Sequence, residues 1–207
     1  MTRTDWDERY DRAEYLFGEA PSDFLRRHAE IVKGRSSALA VADGEGRNGV
    51  WLAEQGLAVH SIDASAIGLG KAQALAKSRG VSITTEVVDL AEYDWPDEHF
   101  DIVVGIFIQF AGPALRDAIF AGMIKALRPG GTLLLHGYRP EQLAFGTGGP
   151  RTEENLYTEA LLEKAFQTLT ITSLLSYDAE IAEGTGHHGM SALIDLVATK
   201  PLELARA

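Results

Sequence analysis

The segment that most constrains this chain is a strand-to-helix transition built on glycine. Residues 38–42 (ALAVA) are a short, wholly apolar run, Gly44-Glu45-Gly46-Arg47-Asn48-Gly49 follows, and residues 48–55 continue at helical spacing until Gly56 stops them. An uninterrupted apolar strand is covered on both faces, which is the habit of parallel sheets flanked by helices. The rhythm then repeats. Residues 58–62 read as a strand ending at Asp63, 65–78 as a helix, 82–88 as a strand ending at Asp89, 100–107 as a strongly apolar strand and 113–127 as a helix. Pro129-Gly130-Gly131 turns the chain into a further strand over 132–136. This alternation predicts an α/β fold with a parallel sheet and helices on both faces.

Beyond residue 138 the pattern changes. Residues 142–151 are glycine-rich and read as a loop, and 158–166 as a helix. Residues 169–177 and 191–199 are two β-rich runs with no helix between them, because the connector 178–189 is too polar and glycine-rich for a helical crossover. The last strands are therefore expected to pair antiparallel. At the other end, residues 5–15 form a charged, aromatic helical stretch, and Pro21-Ser22-Asp23 opens a second over 24–32. No internal repeat or linker divides the chain. One domain over 1–207 is expected, with a helical lid (1–36), a cofactor-binding core (37–138), and a substrate loop, helix and hairpin (139–207).

The glycine turn satisfies GxGxxG between a strand and a helix, and Asp63 lies 19 residues beyond Gly44. Both features suit an adenosine cofactor: the glycines admit a ligand to the backbone, and an acid closing the next strand can accept from both ribose hydroxyls. Charge separates the candidate cofactors. A pyrophosphate would meet Asp43 and Glu45 in the turn, with Arg47 offsetting part of the repulsion, whereas a sulfonium is favoured by the same acids. Asp89 adds an acceptor for an adenine amino group. Each of these aspartates also has an ordinary reading as a turn or helix-cap residue.

Composition removes several classes. There is no cysteine, hence no disulfide framework, cysteine-ligated zinc or thiol catalysis. His187 and His188 are adjacent and lack a carboxylate at ligand spacing, so no metal site is expected. Against 19 basic residues stand 30 acids, a net charge of −11, which opposes a general hold on nucleic acid or anionic membranes. The opening MTRTDWDERY is too charged for a signal-peptide core, and no apolar run approaches the ~18 residues of a membrane span. The expectation is a cytoplasmic monomer or homodimer acting on a small molecule.

Residues 41–48 and Trp51-Leu52-Ala53, with Ser61-Ile62-Asp63-Ala64-Ser65, Val87-Val88-Asp89-Leu90, Phe100-Asp101-Ile102-Val103-Val104 and Leu127-Arg128-Pro129-Gly130-Gly131-Thr132, resemble class I S-adenosylmethionine-dependent methyltransferases. Gly-Arg-Asn in the turn, the early Trp-Asp-Glu-Arg-Tyr and Gly-Thr-Gly-Gly-Pro are similar to the bacterial tellurite-resistance and thiopurine methyltransferase branch. The resemblance implies a Rossmann-like three-layer sandwich whose mostly parallel seven-stranded sheet ends in an antiparallel hairpin. It implies S-adenosylmethionine as cofactor, S-adenosylhomocysteine as product, and a lid formed by the chain before the glycine loop. Two positions depart: Ala40 stands where the family usually has an acid, and Ala42 where it has glycine. Asp43 is the acid placed to substitute.

The expected cofactor-binding set is Asp43, Gly44, Gly46, Arg47, Asn48, Asp63, Ala64, Asp89, Leu90 and Ile106. Ligands of open α/β sheets bind beyond the carboxyl ends of the strands, which nominates Phe107, Tyr138 and Arg139 for the acceptor, with Tyr10 from the lid. His136 is a candidate base, or a hydrogen-bonded structural histidine; His187 matches a histidine of the resembling branch. Trp6 and Phe17 are assigned to lid packing, Tyr157 and Arg151 to helix-start and surface roles. The leading function is methyl transfer to a small sulfur, selenium, tellurium or oxygen nucleophile. The alternatives are a non-catalytic binding protein, which the two departures allow, and an NAD-dependent oxidoreductase, which shares the fingerprint.

Overall fold

A computed structural model describes residues 3–202. The order of elements is α1 (Arg3–Tyr10), α2 (Asp23–Arg27), α3 (Ala29–Val32), β1 (Ser37–Val41), α4 (Arg47–Glu54), β2 (Ala58–Asp63), α5 (Ala66–Ser78) and β3 (Thr84–Val87). There follow β4 (Phe100–Ile106), α6 (Pro113–Ala126), β5 (Leu127–Tyr138), the single-turn α7 (Gln142–Phe145), a 3₁₀ turn at Glu153–Asn155, α8 (Glu159–Ala165), β6 (Thr170–Glu183) and β7 (His187–Thr199). The helix starts follow their capping chemistry. Ser22, Ser65 and Thr158 each accept a backbone N–H of the first turn, and Pro113 opens α6 where no amide is needed.

The seven strands form one sheet in the order β3-β2-β1-β4-β5-β7-β6, with β7 antiparallel to both its neighbours and the rest parallel. Alternation along the central strands supplies two cores. Leu39, Val41, Val103, Leu133 and Leu135 pack with Phe120, Met123 and Phe166 on one face, while Ala38, Ala40, Val104 and Leu134 pack with Phe24, Leu25 and Leu52 on the other. This is the expected three-layer α/β sandwich. The strand order reverses between β1 and β4, paired at Val41↔Gly105, and that switch point is where an open sheet offers a crevice.

Several boundaries differ from the sequence reading. The first helix stops at Tyr10, and residues 11–20 cross the molecule as an irregular strap. The 24–32 helix breaks at His28, whose ring bonds back to the Phe24 carbonyl at 2.9 Å. Residues 129–131 form an irregularity inside β5 rather than a turn before it, and β5 continues to Tyr138. The polar connector 178–189 is mostly strand, with a turn only at 184–186. An edge hairpin needs alternation and backbone pairing, not a continuous apolar run, so polar composition concealed it. No helix of the described residues is long and apolar enough to cross a membrane.

Candidate active site

The glycine loop leaves β1 through a strained residue. Ala42 has φ +49°, and Phe107, at the end of the neighbouring β4, has φ +56°; both are left-handed values that side chains disfavour. Asp43 then folds back: its carboxylate accepts from the Gly49 amide at 3.2 Å and from Ser61 Oγ–H at 2.7 Å. An acid on the loop itself thus ties the loop to α4 and β2, a task that Ala40 lacks the group to perform. Asp63 accepts from the amides of Gly44 at 2.9 Å and Ser65 at 2.8 Å. Burial pushes Asp43 up to about 7 and Asp63 up to about 6, against the pull of those hydrogen bonds.

The loop glycines make room for neighbouring elements of the protein. A Cβ on Gly44 would lie 2.5 Å from the Tyr10 hydroxyl, and one on Gly46 2.3 Å from Ala72 Cβ. They admit the lid and α5, and neither is among the residues lining the cavity described next. Glu45 is likewise displaced. It is buried, pairs with Lys71 at 2.5 Å and accepts from the Leu16 amide at 2.8 Å, so it fastens the strap and does not face the crevice.

Beyond the strand ends lies a cavity of about 720 Å³, within the range of small-molecule sites. Its wall brings together Asp43, Arg47, Asn48, Asp63, Ala64, Asp89, Leu90 and Ile106 from the expected cofactor set, with Tyr10 from the lid. Arg47 pairs with Glu183 of the hairpin at 2.7 Å, and Asn48 accepts from the Ser22 amide at 3.0 Å, so two loop residues also lock the surrounding elements. Asp89 caps its own turn by accepting from the Ala91 amide at 2.9 Å.

A second chamber of about 360 Å³ adjoins the first, sharing Trp6, Phe17, Phe107, Phe110 and His187 as a common wall. Tyr138 lines it, and its hydroxyl lies 2.5 Å from His187 Nδ1. His187 is stacked on Phe107, ring centres 4.2 Å apart, and Phe17 packs at 4.4 Å. Burial, with the positive charges of Arg47 and Arg9, holds His187 well below the ordinary imidazole value. Burial likewise raises the Tyr138 phenol, so both groups are neutral near pH 7.

The structure places two expected residues elsewhere. His136 is buried with Nδ1 2.6 Å from Asp195 and its ring stacked on Phe24, lining neither chamber. Asp195, itself buried, is held in turn by the half-exposed Arg27 at 2.9 Å, which ties the α2 helix to β7. Arg139 pairs with Asp178 and Glu141 and also lies outside both chambers. Tyr157, read as a helix-start residue, is fully buried against Phe120. Conversely, Trp6 and Phe17 pack the lid but also face both chambers, and Arg151 lines the second. Their aromatic character was visible; their position over the crevice was not. Gln109 stands in the stretch 106–110 beyond the β4 end, where ligands of open sheets bind, but its contact with Tyr138 has no sequence signal. It clamps the Tyr138 backbone from both sides, at 2.6 and 2.7 Å, in the space left by Gly137.

An acid-lined cavity at the β1/β4 switch point of a sheet ending in an antiparallel hairpin defines the class I S-adenosylmethionine-dependent methyltransferase fold. Residues 38–131 match the family described as a methyltransferase domain. A protein solved in work on the conversion of a disulfide bond into a thioacetal group during echinomycin biosynthesis superposes with a TM-score of 0.76 at 19% identity, over 98% of this chain and 93% of that one. The N-methyltransferase NodS from Bradyrhizobium japonicum WM9, in complex with S-adenosylhomocysteine, gives 0.71 at 17% over 96% and 98%. TehB from Haemophilus influenzae gives 0.69 at 18%, over 86% of this chain and 61% of that one. No curated protein matches the chain in sequence.

S-adenosylmethionine is the cofactor this domain implies, and the residues present fit it. Three carboxylates, Asp43, Asp63 and Asp89, line the larger cavity, and its one cationic side chain, Arg47, is already paired. The balance suits a positively charged ligand and opposes a pyrophosphate. Asp63 would hold the ribose hydroxyls, having lone pairs beyond those taken by the loop amides. Leu90, Ile106 and Val88 offer apolar walls to an adenine ring.

Proposed function

We propose that the protein methylates a small molecule through a sulfur, selenium, tellurium or oxygen nucleophile held in the smaller chamber. The observation that supports this reading is the pair of chambers, one acidic and one aromatic, meeting at a common wall. When bound, the cofactor supplies an electrophilic methyl group on a sulfonium centre. The chain's own contribution is alignment, charge complementarity and exclusion of water. Asp43 and Asp63 answer positive charge from the strand ends, and Trp6, Tyr10 and Phe17 roof the crevice.

His187 is neutral and, with so depressed a value, a weak base. It suits a nucleophile that ionises readily, such as a thiol, selenol or acidic phenol, better than an aliphatic alcohol or amine. Tyr138 fixes the ring through Nδ1. The net charge of −11 supports a reading without nucleic acid or membrane; a cytoplasmic monomer or homodimer is part of the same proposal.

Equilibrium dialysis with S-adenosylmethionine and S-adenosylhomocysteine, followed by an acceptor panel of thiols, selenite, tellurite, phenols and carboxylates scored by release of the homocysteine product, tests the proposal. Saturable binding of both ligands and turnover with at least one soft nucleophile are expected. Binding weaker than millimolar to both would refute it.

A further inference from the structure

We propose, resting on that reading, that the smaller chamber recognises a planar aromatic acceptor bearing an anionic group. The two chambers differ in charge. Arg9 and Arg151 are the only charged side chains lining the smaller one, whereas three aspartates line its neighbour. In a chain with 11 more acids than bases, a chamber whose charged lining is cationic stands apart from the rest of the surface. Arg151 carries a guanidinium fork, which matches a carboxylate or similar oxyanion better than any neutral group, and Arg9 adds positive charge to the same wall. Arg9 lies with its guanidinium carbon 4.6 Å from the centre of the Trp6 ring, so aromatic wall and cation are delivered by the same turn of α1. Arg151 is exposed and has no ion-pair partner among the described residues.

The walls choose the body of the ligand. Trp6, Phe17, Phe107, Phe110 and Tyr138 surround a chamber of about 360 Å³, at the small end of ligand sites and suited to one or two fused rings. Asn155 also lines this chamber, and its backbone carbonyl accepts from Gln109 Nε2 at 3.2 Å, so a charge introduced at this position would sit at the wall. The positive field of Arg9 also reaches His187, where burial and charge together keep the imidazole neutral.

Isothermal titration of the full chain with naphthoate, its uncharged amide and cationic naphthylmethylamine tests the inference, each titrated with and without saturating S-adenosylhomocysteine. The carboxylate is expected to bind roughly ten-fold tighter than the amide, and the cation not at all. Arg151→Gln, at an exposed position that leaves folding intact, is expected to remove most of that preference, and Arg9→Gln to reduce it. Asn155→Asp is expected to weaken the carboxylate selectively. Equal affinity for acid and amide, or tightest binding of the cation, would overturn the inference. If S-adenosylhomocysteine binds while the acid shows no preference, this inference falls and the methyltransferase reading stands. If naphthoate is preferred but S-adenosylhomocysteine fails to bind, the chamber's chemistry stands and its assignment as the acceptor site falls.

Discussion

Glu45 offers the sharpest check on how charge is arranged around the crevice. In the sequence it belongs to the glycine loop and faces the cofactor; in the structure it turns away and fastens the strap. Truncation by Glu45→Ala removes a charge-assisted bond to the Leu16 amide at 2.8 Å and the 2.5 Å pair with Lys71. The first loss is worth about 1.5–3 kcal/mol for a buried bond to a charged group. The second is smaller than the 3–5 kcal/mol typical of an abandoned buried charge. Lys71 keeps the carbonyls of Arg12 at 3.1 Å and Glu14 at 2.7 Å. A total of about 2–3 kcal/mol corresponds to a fall in Tm of roughly 5–10 °C for a chain of this length.

Glu45→Gln keeps one acceptor for the amide and is expected to lose about half as much. Thermal unfolding followed by circular dichroism measures the stability term. Titration with both cofactor forms measures the rest. Because Glu45 acts through the lid, S-adenosylmethionine and its neutral thioether product are expected to weaken by the same factor. A loss confined to the sulfonium form would show that the carboxylate faces the crevice and would refute the placement, as would a stability change under about 0.5 kcal/mol.

Ala42→Gly releases a left-handed backbone at φ +49° and is expected to raise stability by about 0.5–1 kcal/mol; a lower urea midpoint would show that the Ala42 methyl is worth more than the strain. Asp43 and Asp63 hold their protons in the folded state to about 7 and about 6, above the ordinary carboxyl value of 3.8. The native chain then retains protons that the unfolded chain has released, so ligand-free stability is expected to decline as pH rises from about 4 toward about 7. Asp43→Asn is expected to flatten the upper part of that decline, and a urea midpoint that climbs over the same range would contradict the burial argument. His136→Gln is expected to cost about 2 kcal/mol by disturbing the bond to Asp195, with cofactor affinity and the pH dependence of turnover unchanged; a shifted pH–rate profile would return His136 to the reaction.

The contrast between Glu45 and Asp43 shows where sequence reading reached its limit. The two acids lie two residues apart at the start of one glycine turn, and spacing assigns both to the ligand. Only the strap at residues 16–17 and the amide of Gly49 decide which way each points. The same holds for the histidines. His136 stands at a strand end, the expected place for a base, yet the lid's second helix covers it with Phe24, while His187 reaches the crevice from the far end of a hairpin. Trp6 and Phe17 were legible as aromatics of a lid but not as walls of two chambers.

By itself the sequence determined the order and character of the elements, the glycine turn, the acids closing β2 and following β3, and the antiparallel finish. Each rests on local physics: hydrophobic period, turn conformation, and the impossibility of a helical crossover through a polar, glycine-rich connector. The tertiary structure decided which acids face the crevice, which histidine lies on its wall, and that two chambers of opposite charge share it. Side-chain direction at a loop is set by partners remote in the chain, such as Lys71 for Glu45 and Glu183 for Arg47. Such partners have no fixed spacing, and they become neighbours only when the sheet has closed its two cores.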